Sequence, residues 1–234
     1  MRIAEQLLEH IDRYFDLRQY GDEPAFRRRL ANLQAAQAGR LTDTHQHLLA
    51  NPRSAPAVQF LLDEVYSGKD LRPVAHDIRR ATRKAMNLLP ESVMATSAAV
   101  MEATLITQEL DEALTELMGD ALDQPPGLDL YSEGYRSLGR QDDRERQLAL
   151  IAELGHGIDR YVRSRLIQTT FRMVRKPAHA AGFSNLYDFL QQGFGVLKPV
   201  PSVGELLAGV ADREAEIMAR LFAGHSLAND ERET

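Results

Sequence analysis

Apolar side chains recur every three or four residues along almost the whole chain, and no stretch alternates apolar and polar over the length of a strand. That pattern predicts an all-α protein, a single multi-helix bundle of about eight helices. Ile3, Leu7, Ile11 and Tyr14 share one face of a first helix, which runs to about Leu17 and stops before the turn-like QYGDEP. A second helix starts after Pro24 and aligns Phe26, Leu30, Leu33, Leu41 and Leu48. It ends at Asn51-Pro52, because the residue before a proline is pushed out of the helical region. A third carries AVQFLLDEVYSGKDL and ends near Ser67-Gly68. The fourth opens at Pro73, a residue suited to a first turn, and ends at Leu89-Pro90. The fifth begins near Glu91 and reaches Met118, either as one long helix or with a break near Thr107.

Beyond it, GDALDQPPGLDLYSEG at 119–134 reads as an internal linker, with two consecutive prolines and three glycines. A long helix follows from Arg144 to Val174 and stops before Lys176-Pro177. A short helix starts at Ser184 as its N-cap. The last starts at Ser202, with Glu205 at capping-box spacing. Residues 225–234 read as a flexible polar tail. Neither half of the chain holds a complete set of elements, so residues 1–224 are expected to form one helical domain rather than two split at Pro125-Pro126.

Composition narrows the function classes. The chain has 234 residues, enough for a sizeable core. It contains no cysteine, which excludes disulfides, thiolate nucleophiles and Cys-ligated metal. The start, MRIAEQLLEHIDRYF, is charged throughout and is no signal peptide. The weakly charged run from Ser92 to Gln108 is too short and too polar to span a membrane. A cytoplasmic protein is expected. A net charge of −6 argues against coating nucleic acid through a global field, and the absence of tryptophan removes stacking platforms.

On a helical wheel the third helix has a narrow wet sector of Gln59, Asp63 and Ser67. Glu64 falls between Phe60 and Ala57, on the packed side. An inward carboxylate needs a partner or a raised pKa. In the helix from Arg144 to Val174, the stripe Ile151, Leu154, Ile158, Tyr161, Val162, Leu166 and Met173 encloses Arg165. Glu64 and Arg165 are therefore expected to meet as a buried polar pair.

Metal-site spacings are weak. Glu153 and His156 fit Glu-x-x-His but lie opposite their stripe, and His47 also points away from its own. His45 lies nearer the apolar line. Glu64, His45 and His10 are the low-ranking candidates for metal ligands. Glu102, Glu109 and Glu116, spaced by seven, read as the solvent stripe of the fifth helix. On the fourth helix, Val74, Ile78, Ala81, Ala85 and Leu88 oppose a basic side bearing His76, Arg79, Arg80, Arg83 and Lys84. A second basic cluster, Arg27 to Arg29, opens the second helix, where the helix dipole disfavours cations. No phosphate loop, dinucleotide-binding glycine pattern or nucleophile elbow occurs.

Phe60, Leu61, Leu62, Asp63, Glu64, Val65 and Tyr66 occupy a signature that resembles that of the bacterial FFLEELY-motif proteins. The chain departs from the motif at Leu61, Asp63 and Val65. A histidine-bearing helix and Asn-Pro before the motif, and RKPAHAAG after it, extend the likeness over most of the chain. The resemblance implies a bacterial source and a helical fold, with no catalytic residue and no cofactor attached to it.

The expected function is binding without catalysis: a protein partner or a small anionic ligand held by His76, Arg79, Arg80, Arg83 and Lys84. The alternative is a helical metal- or haem-dependent enzyme using Glu64 with His45 and His10.

Overall fold

The computed structural model describes residues 2–18, 21, 23–66, 69–85 and 90–228, with the side chains of Val65, Tyr66 and Ala85 also outside the description. The predicted helix ends at Ser67-Gly68 and Leu89, and the side chains of Ala85 and Leu88, lie outside the described residues. Among the described residues there is no strand and there are twelve α-helices, more than the eight expected. They are α1 (Ile3–Phe15), α2 (Pro24–Thr44), α3 (Gln46–Leu49), α4 (Ala55–Leu61), α5 (Arg72–Ala85), α6 (Glu91–Met118), α7 (Leu128–Leu138), α8 (Gln141–Arg163), α9 (Arg165–Met173), α10 (Arg175–Ala180), α11 (Ser184–Leu197) and α12 (Val203–Phe222). A π-helical turn at Leu62–Tyr66 continues α4, and a 3₁₀ turn at Gly119–Leu122 follows α6.

The extra helices arise where long predicted ones break. His45, at φ −107° and ψ 22°, leaves the helical region and separates α2 from the short α3. Ser164 takes an extended conformation, φ −72° and ψ 110°, and its hydroxyl accepts the Ile167 N–H, so α8 ends and α9 begins. Pro177 sits inside α10 rather than after its end. Of the two alternatives for the fifth helix, the continuous one is found, with no break near Thr107. Its hydroxyl donates back to the Ala103 carbonyl at 2.8 Å and accepts Gln147 Nε2 at 2.6 Å, which ties the middle of α6 to α8.

The segment 119–134 is packed. Leu122 is fully buried, and α7 begins two residues after the double proline. Gly134 lies inside α7 because Met118 occupies the space a side chain would need: a Cβ there would stand 2.7 Å from Sδ. The chain also stays attached beyond Gly224. Leu227 is buried, its N–H donates to Ser132 Oγ, and the His225 carbonyl accepts from Arg136.

Among the described residues, the three largest apolar clusters hold most of the helices together. Leu7, Ile11 and Tyr14 of α1 meet Ala75 of α5 and Ala98, Met101 and Leu105 of α6. Leu114 of α6 meets Leu33 of α2, Tyr131 and Tyr135 of α7, and Ile217, Met218 and Leu221 of α12. Helix α6, about 42 Å long at 1.5 Å per residue, therefore joins two clusters end to end. The third unites Ala57 of α4, Val162 of α8, Leu197 of α11, and Val203 and Leu207 of α12.

Helices α8 and α12 pack closely because both present glycine at their crossing. A Cβ on Gly155 would stand 2.9 Å from Gly204 Cα and 3.0 Å from the Val203 carbonyl oxygen. Backbone atoms cannot yield as a flexible side chain does. Gly155→Ala should therefore destabilise the protein by about 1–3 kcal/mol, despite the roughly 1 kcal/mol that alanine gains over glycine in a helix. Gly209→Ala, on the open side of α12 with nothing within 4 Å, should raise stability by about 0.5–1 kcal/mol. Urea unfolding of the two variants tests this contrast; an unchanged midpoint for Gly155→Ala would show that the crossing is not close-packed.

Candidate functional site

The stretch with the two acids behaves in part as the wheel implies. Asp63 is exposed and accepts from Gln59 Nε2 at 2.8 Å, while Ala57, Val58, Phe60 and Leu62 are buried. Glu64 lies mostly inside, but its partner is Lys69, whose ammonium it holds five residues later. The expected pair with Arg165 is not formed: Arg165 is exposed and makes no ion pair among the described residues. The extended residue Ser164 is the reason. It resets the helical phase, so side chains projected onto the α8 stripe as one continuous helix rotate away from it. Leu166 and Met173, read as stripe residues, are 77% and 75% exposed for the same cause.

The basic side of α5 is largely engaged within the protein. Arg79 pairs with Asp12 at 3.0 Å and lies over the Phe15 ring at 4.8 Å, and His76 stacks on that ring at 4.3 Å. Arg80 donates to the Ala181 and Gly182 carbonyls and covers Phe183. Beside it, buried Asp77 accepts the Leu186 N–H at 3.1 Å and so caps the first turn of α11 from another helix. Arg83 and Lys84 are exposed, one turn beyond Arg80.

The buried polar groups of the bundle lie elsewhere. Glu214 of α12 receives both terminal nitrogens of Arg40, at 3.1 and 2.6 Å, and His45 Nε2 lies 3.0 Å from it. Burial pushes the Glu214 carboxyl up, but the His45 bond and the Arg40 charge outweigh it and leave the group below the usual carboxylate range. Nearby, buried Asp111 of α6 accepts Gln34 and Gln37, each at 3.1 Å. Burial raises its carboxyl to about 6, against the lowering effect of those two bonds and of Arg144. Arg144 of α8 is 6% exposed and lies 3.5 Å from the centroid of Tyr135, with Nε and Nη2 lacking a protein acceptor. Arg40 also borders an open 290 Å³ cleft lined by Ala35, Ala36, Gly39, Pro125, Pro126 and Tyr131.

A signal for two of these residues existed in the sequence. Asp111, near buried Gln108, Leu114 and Thr115, and Glu214, near buried Ala211, Ile217 and Met218, sit three or four residues from inward positions on their own helices, whereas Arg40 and Arg144 have no buried neighbour at that spacing. On a wheel, a single inward charge among many surface charges does not stand out.

This geometry also separates the metal-ligand candidates. His45 faces Glu214 and Arg40, not Glu64, while His10 lies on α1, which packs on α5 and α6. Among the described residues no group of three His, Asp or Glu side chains is arranged to hold a metal ion. Of the seven-residue acid ladder, Glu116 is exposed as a solvent stripe requires, while Glu102 and Glu109 are half-buried, and all three carry arginine partners. Glu102 takes a two-pronged bond from Arg146, Glu109 pairs with Arg13, and Glu116 with Arg18.

A surface segment carries the remaining unbalanced chemistry. Residues 160–187 contain six Arg and Lys side chains and no Asp or Glu, whereas the rest of the chain has 22 cations against 34 acids. Of the six, Arg163 pairs with Asp159 and reaches the Val200 and Pro201 carbonyls. Arg160, Arg165, Arg175 and Lys176 are exposed, with no ion-pair partner among the described residues. Helix α9 is attached by Phe171, stacked on Tyr187 at 4.4 Å and edge-on to Phe194. None of its residues is fully buried.

Comparison with known families settles one point of identity. The chain belongs to the family described as a domain of unknown function, DUF8198, whose profile matches residues 16–228. Neither the curated proteins nor the solved structures give a match. No described helix is long and apolar enough to cross a membrane.

Removing Glu214 would leave the buried Arg40 guanidinium without its counter-charge and His45 Nε2 without its hydrogen-bond partner. Glu214→Ala should cost about 3–5 kcal/mol in urea unfolding; a loss below about 1 kcal/mol would mean that water replaces the carboxylate. Asp111 has the opposite pH dependence. Its folded pKa of about 6 lies above the ordinary 3.8, so its contribution is fully present below 3.8 and is lost as pH rises through 6. Asp111→Asn should therefore gain about 2–3 kcal/mol relative to the parent between about pH 4 and pH 7. Parallel stability–pH curves for the two proteins would contradict this.

Proposed function

We propose that this protein works by binding, without catalysis, and that its contact surface for a protein partner is the acid-free segment 160–187. The observation that carries this reading is the coincidence, on α9, of two large apolar side chains held in solvent with cations that have no internal counter-charge. Soluble surfaces rarely keep such groups together without a use. Charge complementarity then favours an acidic partner.

The basic side of α5 enters this reading in reduced form. His76, Arg79 and Arg80 position α1 and the end of α10, so Arg83 and Lys84 remain to extend the cationic surface. The resemblance to the FFLEELY-motif proteins, with its bacterial source, adds no activity to weigh against binding. A metal- or haem-dependent reading has less support, since Glu64, His45 and His10 serve three different neighbourhoods.

Site-specific photo-crosslinking in cells tests the proposal. A crosslinker placed at Leu166 or Met173 should give protein adducts, and one at exposed Glu153 should not. Reversing Arg165, Arg172 and Arg175 to Glu should remove the adducts. Because these side chains are exposed, the reversed protein should melt within about 0.5 kcal/mol of the parent. Equal adducts from all three sites, or adducts that persist after charge reversal, would overturn the assignment.

A further inference from the structure

We infer that the partner docks an acidic amphipathic helix lengthwise along α9; this rests on the binding role proposed above. At about 100° per residue, Ile167 and Phe171 share the attached side of α9. Leu166 and Met173, two turns apart, lie within about 20° of one another on the outer side. Thr169 stands beside them, and Arg165 and Arg172 form the adjacent strip. An apolar line with spacing of seven and flanking cations matches the seam that a second helix offers at its own i, i+3 or i+4, and i+7 positions. Acids flanking that seam would meet Arg165, Arg172, Arg175 and Lys176.

Other occupants fit less well. The face is one side chain wide and has no exposed aromatic, since Phe171 is committed to Tyr187 and Phe194; a helix that lies in a bilayer surface presents a broad apolar face. Nucleic acid would leave Leu166 and Met173 without an apolar contact. A second copy could offer its own acid-rich stretch, residues 109–135, which contains eight acids and no Lys or Arg. That stretch is already answered internally: Arg13, Arg18, Arg28 and Arg29 pair with Glu109, Glu116, Asp120 and Asp123. Four of the eight acids thus have internal arginines, whereas of the six cations of 160–187 Arg163 alone has an ion pair among the described residues.

Selection of a displayed random 16-residue peptide library against the full chain tests the inference. The expected outcome is enrichment of peptides with apolar residues at i, i+3 or i+4, and i+7, flanked by Asp or Glu. These peptides should gain helix on binding, seen by circular dichroism. Leu166→Ser with Met173→Ser should weaken them at least about tenfold, or about 1.4 kcal/mol, and Arg165→Glu with Arg172→Glu should do the same. Enriched peptides that stay extended, that lack acids or that ignore these substitutions overturn the helix inference. So does failure to enrich any peptide, or binding to phosphatidylglycerol vesicles alone. Crosslinks from Leu166 to protein together with extended peptides would leave the binding role standing and remove only the helix, whereas absent crosslinks would remove the role itself.

Discussion

The approach of Gly155 to Gly204 sets the geometry from which most of the structure follows. With no side chain on either residue, α8 and α12 come together until backbone meets backbone. That contact leaves α8 one permissible rotation about its axis. Leu150 and Val162 then point inward, Arg144 lies flat on Tyr135, and Gln147 reaches Thr107 on α6. On the other side of the crossing, α12 presents Leu207, Ala211, Met218 and Leu221 to the core, and with them Glu214. A helix locked in rotation carries its charges inward along with its apolar side chains.

Those inward charges act more as register marks than as a source of stability. Bringing Arg40 and Glu214 out of water costs several kcal/mol per ion, which their mutual attraction only roughly offsets. A one-residue slip of α2 against α12, however, would strand a guanidinium and a carboxylate separately. Asp77 acts in the same way on the opposite side, fixing α11 by accepting a first-turn N–H that helix geometry leaves unbonded. The protein thus uses buried polar groups on α2, α5, α6, α8 and α12 to specify one arrangement among helices with similar apolar stripes.

Between α8 and α9 the same logic is switched off by one residue. Ser164 in an extended conformation ends the locked helix, caps the next and rotates it. Side chains that would extend the α8 stripe are carried to the surface, beside cations that the acid-rich remainder of the chain does not neutralise. The apolar–basic strip of α9 is therefore a product of a helix break, and its chemistry depends on where α8 stops.

The all-helical character, the faces of α1 and α2, the span of α6 and the Ser202 cap of α12 were legible from spacing alone, because each is a local property of 3.6-residue periodicity and end chemistry. Asp63 as a surface acid was legible for the same reason. The partner of Glu64 was not: Lys69 lies five residues on in sequence, and helical spacing alone does not bring positions five apart onto one face. Arg165 was misplaced because a wheel drawn through Ser164 assumes continuous phase, and one extended residue invalidates every angle beyond it. Likewise, the proline-rich 119–134 looks like a linker until Leu122 and Tyr131 find a cluster to fill. By itself the sequence determined which residues prefer helix and which faces are apolar. Only the tertiary structure decided which charges meet, since that depends on rotation, crossing distance and breaks set by contacts between residues far apart in the chain.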